Sequence, residues 1–282
     1  MTQLGMAIDL ERCQGCRACM VACKTENDTP RGAFWMNVFR YETGEFPDVD
    51  QGFQPNPCHH CSEPSCAEVC PTDARFKRED DGIVLTDYST CIGCRYCEVA
   101  CPYGVNYFQW RPSEEAQYGF ESAGEAGEAL DAAMAELDGE YDGTVPWHDP
   151  DKEGFHEPRG RNMAGGNQPT GTMGKCTFCV HRQEDGHPRQ GTTACEEVCP
   201  TNVIFFGDME DPESKPRQHI AEKGATNRFK MLEGSGNEPN VVYLGDEPDG
   251  ELRRMEDEYK DPDEAIDAEP EREAVADGGV WS

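Results

Sequence analysis

The chain has 282 residues and carries 25 Lys and Arg against 56 Asp and Glu, a formal net charge of −31. That charge disfavours nucleic acid, whose phosphates need Lys and Arg to displace counterions, and no apolar run reaches the roughly 18 residues a membrane helix requires. Leu, Ile, Val and Phe total 41 residues, which by composition alone points to disorder. Sixteen cysteines point the other way, because metal ligation can stabilise what apolar burial cannot.

From the N-terminus, MTQLGMAIDLERC has neither an apolar signal core nor a twin arginine, so no export address is expected. Met6–Asp9 reads as a strand. It leads into the first cysteine run, Cys13, Cys16, Cys19 and Cys23, in steps of three, three and four. A second pattern follows at Cys58, Cys61, Cys66 and Cys70, ending Cys-Pro-Thr. Short strands are expected at Ala74–Phe76 and Ile83–Thr86. The first pattern then returns as Cys91, Cys94, Cys97 and Cys101, followed by proline and an expected strand over Val105–Trp110. The second pattern returns, interrupted by fifteen residues, as Cys176, Cys179, Cys195 and Cys199, again ending Cys-Pro-Thr. Strands over Val203–Phe206 and Asn240–Leu244 close the ordered part. Each Cys-x3-Cys stretch suits a helical turn or two that stops near its proline. Those stretches are Ala18–Cys23, Ala67–Cys70, Tyr96–Cys101 and Glu196–Cys199.

Two segments stand apart. Residues 112–170 are rich in Gly, Glu and Asp, read as a surface insertion, and hold one candidate helix over Glu125–Leu137. Residues 246–282 are strongly acidic and read as a solvated tail. The acidity and the 17:8 ratio of arginine to lysine suit a protein that works in molar salt, where like charges are screened.

Zinc sites join two separated Cys-x2-Cys knuckles, and disulfide frameworks occur mainly in small secreted domains. Neither explains three cysteines at x2 spacing followed by a fourth after x3. That run is the one bacterial ferredoxins use, in which the fourth cysteine ligates the other cluster of a pair. A tight loop can wrap three corners of a cubane, and the fourth corner must be reached from elsewhere. All sixteen cysteines fall into the repeat. A structural metal module carrying no current is the reading of another class, and zinc in the purified protein would support it.

The four motifs, together with Cys-Pro-Tyr-Gly-Val at 101–105, Lys175–His181 and Phe206–Pro212, resemble the iron–sulfur subunits of molybdopterin oxidoreductases of the polysulfide, thiosulfate, tetrathionate and dimethyl sulfoxide reductase type. The resemblance covers residues 4–111 and 172–245. It implies an α+β fold of two nested ferredoxin-like two-cluster modules with short strands and helices. The outer module takes residues 1–57 and 171–245, the inner one residues 58–111, with the insertion and tail beside them. It implies four [4Fe–4S] clusters with crossed ligation. Cys13, Cys16 and Cys19 share the first with Cys199, and Cys176, Cys179 and Cys195 share the second with Cys23. Cys58, Cys61 and Cys66 share the third with Cys101, and Cys91, Cys94 and Cys97 share the fourth with Cys70. The implied role is electron relay, without bond chemistry of its own, between a quinone-interacting membrane subunit and a catalytic molybdopterin subunit. The implied place is peripheral to the membrane, on either side. The same relay in a formate dehydrogenase, hydrogenase or quinone-oxidising complex is the alternative.

Other residues carry weaker expectations. Arg17 and Arg95 share one slot in the two ferredoxin-like loops and could offset cluster charge, against a solvated loop arginine. His59 and His60 are expected to flank a cluster or lie exposed. Tyr103, Tyr107, Phe108 and Trp110 read as strand packing, with shielding of a cluster as the other role. Lys175 lacks the Ser or Thr that a phosphate loop needs.

Overall fold

The computed structural model describes residues 2–110 except 28, 30 and 31, two short strands at 155–156 and 162–164, residues 168–249 except 185, 225 and 226, and residues 252–254. The expected helix over Glu125–Leu137 lies outside these residues, as does most of the acidic insertion. In chain order the elements are β1 (Leu4–Asp9), α1 (Ala18–Asn27), β2 (Asn37–Glu45), β3 (Asp48–Asn56), α2 (Ser65–Glu68), β4 (Arg75–Lys77), β5 (Val84–Thr86), α3 (Tyr96–Ala100) and β6 (Tyr107–Phe108). There follow β7 (Phe155–His156), β8 (Asn162–Ala164), β9 (Met173–Gly174), α4 (Ala194–Glu197), β10 (Ile204–Asp208), α5 (Lys215–Lys223), β11 (Arg228–Phe229) and β12 (Val241–Leu244).

The strands nearest the ends of the motif region come together. A four-stranded sheet runs β10–β1–β12–β11. β1 pairs antiparallel with β10, Met6 facing Phe206, and parallel with β12, Met6 facing Val241. Both faces of β1 are covered, so Met6, Ala7 and Ile8 are fully buried, as a continuous apolar run at the centre of a sheet should be. β4 and β5 form a separate ribbon over Arg75–Thr86. β6 pairs with β9. The strand expected over Val105–Trp110 is therefore shorter than its apolar pattern suggested.

Two features depart from the sequence expectations. The nine-residue strands β2 and β3 form a hairpin turning at Phe46–Pro47, which the polar sequence FRYETGEFPDVDQGFQ does not announce. Its inner end, Asn37–Phe39 and Gln54–Asn56, is buried, and its tip is exposed. Further on, Arg253 bridges Arg40 of β2, with backbone bonds of 2.9 and 2.8 Å. Residues 252–254 therefore belong to the fold and not to the solvated tail expected from residue 246.

The core is small and holds thiols among its apolar side chains. Cys19, Cys23, Cys58, Cys61, Cys176 and Cys195 share one buried cluster with Trp35, Met36, Ile83, Leu85, Phe178 and Tyr243. With so few aliphatic residues, the chain folds around its cysteines.

Candidate metal centres

The loop geometry repeats as the spacing does. In the first and third motifs Gly15 and Gly93 take φ of +63 and +66°, and Arg17 and Arg95 take +61 and +62°. A Cβ at Gly93 would sit 2.1 Å from the Gly171 carbonyl oxygen, so this turn needs glycine for space as well as conformation. In the second and fourth motifs His60 and Phe178, each just before the second cysteine, are left-handed, and so are Asp73 and Asn202 after Cys-Pro-Thr. Thr72 and Thr201 set their hydroxyls 3.8 and 3.7 Å from Cys70 Sγ and Cys199 Sγ. The backbone N–H groups of Arg75 and Val203 donate to the same two sulfurs at 3.4 and 3.5 Å. These donors and hydroxyls meet sulfur whether or not it carries metal, and at Cys70 they outweigh the effect of burial and favour thiolate.

All sixteen thiols are free, and the fold gathers them in fours. Cys58, Cys61, Cys66 and Cys101 line one cavity, with His59, Tyr103 and Lys175 in its wall. Cys70, Cys91, Cys94 and Cys97 line a second, with Arg75 and Met173. Cys13, Cys16, Cys19 and Cys199 are electrostatic neighbours, and Cys23 neighbours Cys176, Cys179 and Cys195. Among the described residues no three His, Cys, Asp or Glu side chains converge where a single metal ion could sit. The thiols ring spaces rather than points.

Each Cys-x3-Cys helix connects two groups. Cys19 and Cys23 lie about 6 Å apart along α1, one turn, and Cys66 and Cys70, Cys97 and Cys101, and Cys195 and Cys199 repeat that step around α2, α3 and α4. The helical stretches at α2 and α4 start two residues before the expected ones, and α1 runs four further. α1 packs on α4 and α2 on α3. The Cys13 and Cys23 groups are thereby doubly linked, as are the Cys58 and Cys70 groups. Between these pairs no helix intervenes. There Cys176 neighbours Cys58, and the His60 and Phe178 rings meet at 3.8 Å. The four groups thus form a row. Its end groups each hold one exposed thiol, Cys16 and Cys94. The Cys23 group is wholly buried.

The electrostatics fit a cationic occupant bound by thiolates. Burial, followed by repulsion from sister thiolates, pushes Cys19 and Cys61 up to about 12. Burial raises Cys176 to about 12 and Cys66 and Cys179 to about 11, and holds Cys23 and Cys195 well above their ordinary value. Thiols so crowded and desolvated ionise only when a metal supplies the countercharge. The donor set therefore suits iron–sulfur clusters: four soft sulfurs per site, in apolar walls, with N–H donors on several of them.

Buried cations, not visible as a pattern in the sequence, complete the sites. Arg75 is 2% exposed and its Nη2 donates to Cys97 Sγ at 3.4 Å. It also neighbours Cys66 and Cys58, so it stands between the third and fourth groups. Lys175 is buried, with its Nζ donating to the carbonyls of Val84 and Cys176. Arg182, 2% exposed, grips both oxygens of Glu26 at 2.6 Å and Glu197 Oε2 at 2.9 Å, tying α1 to α4. His181 Nε2 also meets Glu26 Oε1 at 2.6 Å. Burial alone would raise the Glu26 carboxyl, but the bonds from His181 and Arg182 hold it well below the usual range. The one trace of Arg75 in the sequence is its position in Cys-Pro-Thr-Asp-Ala-Arg75, five residues past Cys70 and at the start of β4.

The weaker expectations resolve individually. Arg95 pairs with Glu98 at 2.6 Å and lies over the Phe108 and Trp110 rings, so its charge is satisfied at the surface. Exposure of His59 and His60 is excluded, since both are fully buried. His60 Nδ1 accepts the Val84 N–H at 3.0 Å, and His59 stacks on Tyr103 at 4.1 Å. Burial pushes the His59 imidazole down to about 3 and the His60 imidazole well below its ordinary value. Tyr103 walls a cavity, Tyr107 and Phe108 pack in a strand, and Trp110 is 66% exposed.

Fold and sites together define a protein of the iron–sulfur cluster class. The description "4Fe-4S dicluster domain" fits residues 49–118 and again residues 90–203. A protein of Halobacterium salinarum assigned as the iron–sulfur subunit of a dimethyl sulfoxide reductase is 32% identical over 99% of this chain and 94% of its own. A selenate reductase subunit of Mesobacillus selenatarsenatis is 38% identical over 85% of this chain and 70% of its own. The iron–sulfur cluster-binding subunit of menaquinone reductase from Nitratidesulfovibrio vulgaris is 33% identical, over 90% and 92%. The chain belongs to this family of iron–sulfur subunits of oxidoreductase complexes.

Proposed function

We propose that the sixteen thiols hold four [4Fe–4S] clusters in the crossed sets set out from the sequence, and that the chain is the electron-transfer subunit of a molybdopterin oxidoreductase. Bound there, such clusters supply reversible one-electron transfer. The chain contributes the rest. It fixes the sulfur corners with left-handed loops, spaces neighbouring sites with one-turn helices, excludes water with Tyr103, Ile83 and Leu85, and sets countercharge with Arg75 and Lys175. Division into an outer module (1–57, 171–245) and an inner one (58–111) is supported by β1 pairing with β10 and β12 while β4 pairs with β5.

The observation that carries the reading is the row of four thiol groups with an exposed thiol at each end. A relay needs two ends that partners can reach and a buried middle. At the Cys94 end Ile92, Tyr96, Val99 and Trp110 are 62–86% exposed, an apolar patch that suits a subunit interface. We assign the two ends to a catalytic subunit reducing or oxidising a sulfur compound or similar small substrate, and to a quinone-linked membrane subunit. The quinone link is favoured by the menaquinone reductase relative. No helix among the described residues is long and apolar enough to cross a membrane, so attachment to the membrane would run through that partner. The acidic composition reads as salt adaptation, in keeping with the Halobacterium relative.

The test is anaerobic purification at high salt through a tag on this chain, followed by metal analysis and redox titration by electron paramagnetic resonance. About sixteen irons per chain, four one-electron signals, and co-purifying molybdenum or tungsten are expected. Zinc in place of iron would overturn the relay, and full iron without either heavier metal would overturn the molybdopterin assignment.

A further inference from the structure

One region inverts the charge of the molecule. A cavity of about 940 Å³ opens beside β4, α5 and β11, and Lys77, Arg78, Arg217, Arg228 and Lys230 line it. These are five of the 25 basic residues in a chain of net charge −31. Only Glu79, Glu210 and Glu233 oppose them in the lining. Arg78 is paired with Asp81 at 2.7 Å, and Lys77 Nζ donates to the Ser62 carbonyl at 3.2 Å. Arg217, Arg228 and Lys230 form no ion pair among the described residues. Ile220, Phe229 and Val242 give the cavity an apolar floor. β11, which carries Arg228 and Phe229, is an edge strand of the four-stranded sheet. Ser62, one residue beyond Cys61, lines the inner wall.

We propose that this cleft docks an extended acidic segment of a partner subunit. The inference rests on reading the chain as a subunit of a complex, and it adds the place and chemistry of a contact. Arg217 and Arg228 are exposed and Lys230, just past β11, is half-buried, so all three charges are open to the carboxylates of a partner. In molar salt long-range repulsion is screened, so the patch acts at contact, where its cations can meet a partner's carboxylates directly and set the register of docking. An extended strand can set alternate acidic side chains against the rim and apolar ones on the floor, and can lie along a free sheet edge.

The experiment uses the complex purified by the tag and the free full-length chain, both holding their iron. Amine acetylation and zero-length carbodiimide cross-linking are read by mass spectrometry. Lys230 and Lys77 are expected to lose reactivity in the complex, and Lys230 to form amide links to Asp or Glu of a partner subunit. Arg228→Glu with Lys230→Glu should weaken association by on the order of tenfold at the salt used for purification without loss of iron. Equal Lys230 reactivity in the two states would overturn the proposal. So would links confined to this chain, to Glu233 or to the acidic residues 255–282, and so would full protection of the free chain by pyrophosphate, which would mark a small-anion site. If no complex purifies at all, the subunit reading falls with it; a complex with reactive Lys230 sinks the cleft alone.

Discussion

Arg75 offers the sharpest test of the proposed relay. Its guanidinium is buried, and its Nη2 lies 3.4 Å from Cys97 Sγ. An electron added to a cluster spreads over its atoms, so its mean distance from the guanidinium is on the order of 6 Å. At an effective dielectric of about 20, a unit charge at that distance contributes about 3 kcal/mol. At about 59 mV per 1.4 kcal/mol for one electron, that is on the order of 100 mV. Arg75→Met keeps much of the volume and removes the charge. The two clusters that Arg75 separates should therefore become harder to reduce by on the order of 100 mV, and the other two should barely move. Arg75→Lys keeps the charge and should shift them by less than half as much. The assay is potentiometric titration followed by electron paramagnetic resonance, with iron content as the control for folding. If Arg75→Met retains its iron and moves no potential by more than about 20 mV, or moves all four together, the reasoning is wrong.

Four other outcomes are expected. Crossed ligation predicts that Cys101→Ser alters the spectral signal altered by Cys58→Ser, and Cys70→Ser the one altered by Cys97→Ser; the reverse assignment would mean each loop closes its own cluster. Glu26→Gln removes the half-buried carboxylate that Arg182 grips through both oxygens, leaving it only Glu197, and should cost on the order of 2 kcal/mol, seen in denaturant midpoints. Because the folded carboxyl of Glu26 is held low, its contribution is complete above the unfolded value of about 4.3 and drains as pH falls through the folded one. The gap between parent and variant should thus be full at neutral pH and close in acid. Gly93→Ala drives a Cβ to 2.1 Å from Gly171 and should lower iron content and the thermal midpoint, whereas Gly186→Ala, with nothing within 4 Å, should cost only its positive-φ strain. Stripping iron with a chelator under reducing conditions should abolish the far-ultraviolet strand signal, since 41 Leu, Ile, Val and Phe supply a thin core; a folded apo chain would contradict that account.

The chemistry and the local units were legible in the order of residues alone. The spacing of Cys91, Cys94, Cys97 and Cys101 dictates a wrapping loop followed by a one-turn helix, because a helix carries residues four apart to one face and a short loop cannot. The strands around Met6–Asp9 and Val203–Phe206 could be read for a similar reason: a run of apolar β-formers fits a central strand. Features that depend on distant segments emerged with the folded chain. The hairpin of β2 and β3 is built from polar residues whose strand state comes from pairing and from burial of Asn37 and Asn56 at its root, not from propensity. Arg75 gives no signal beyond its position, since a buried arginine and a solvated one look alike until the fold surrounds it. The row of thiol groups likewise depends on which loops meet, and the contact of Phe178 with His60 joins residues 118 positions apart. Local spacing fixes which atoms can bind metal; the order in which the sites stand, and the charges set between them, arise only when distant segments share one core.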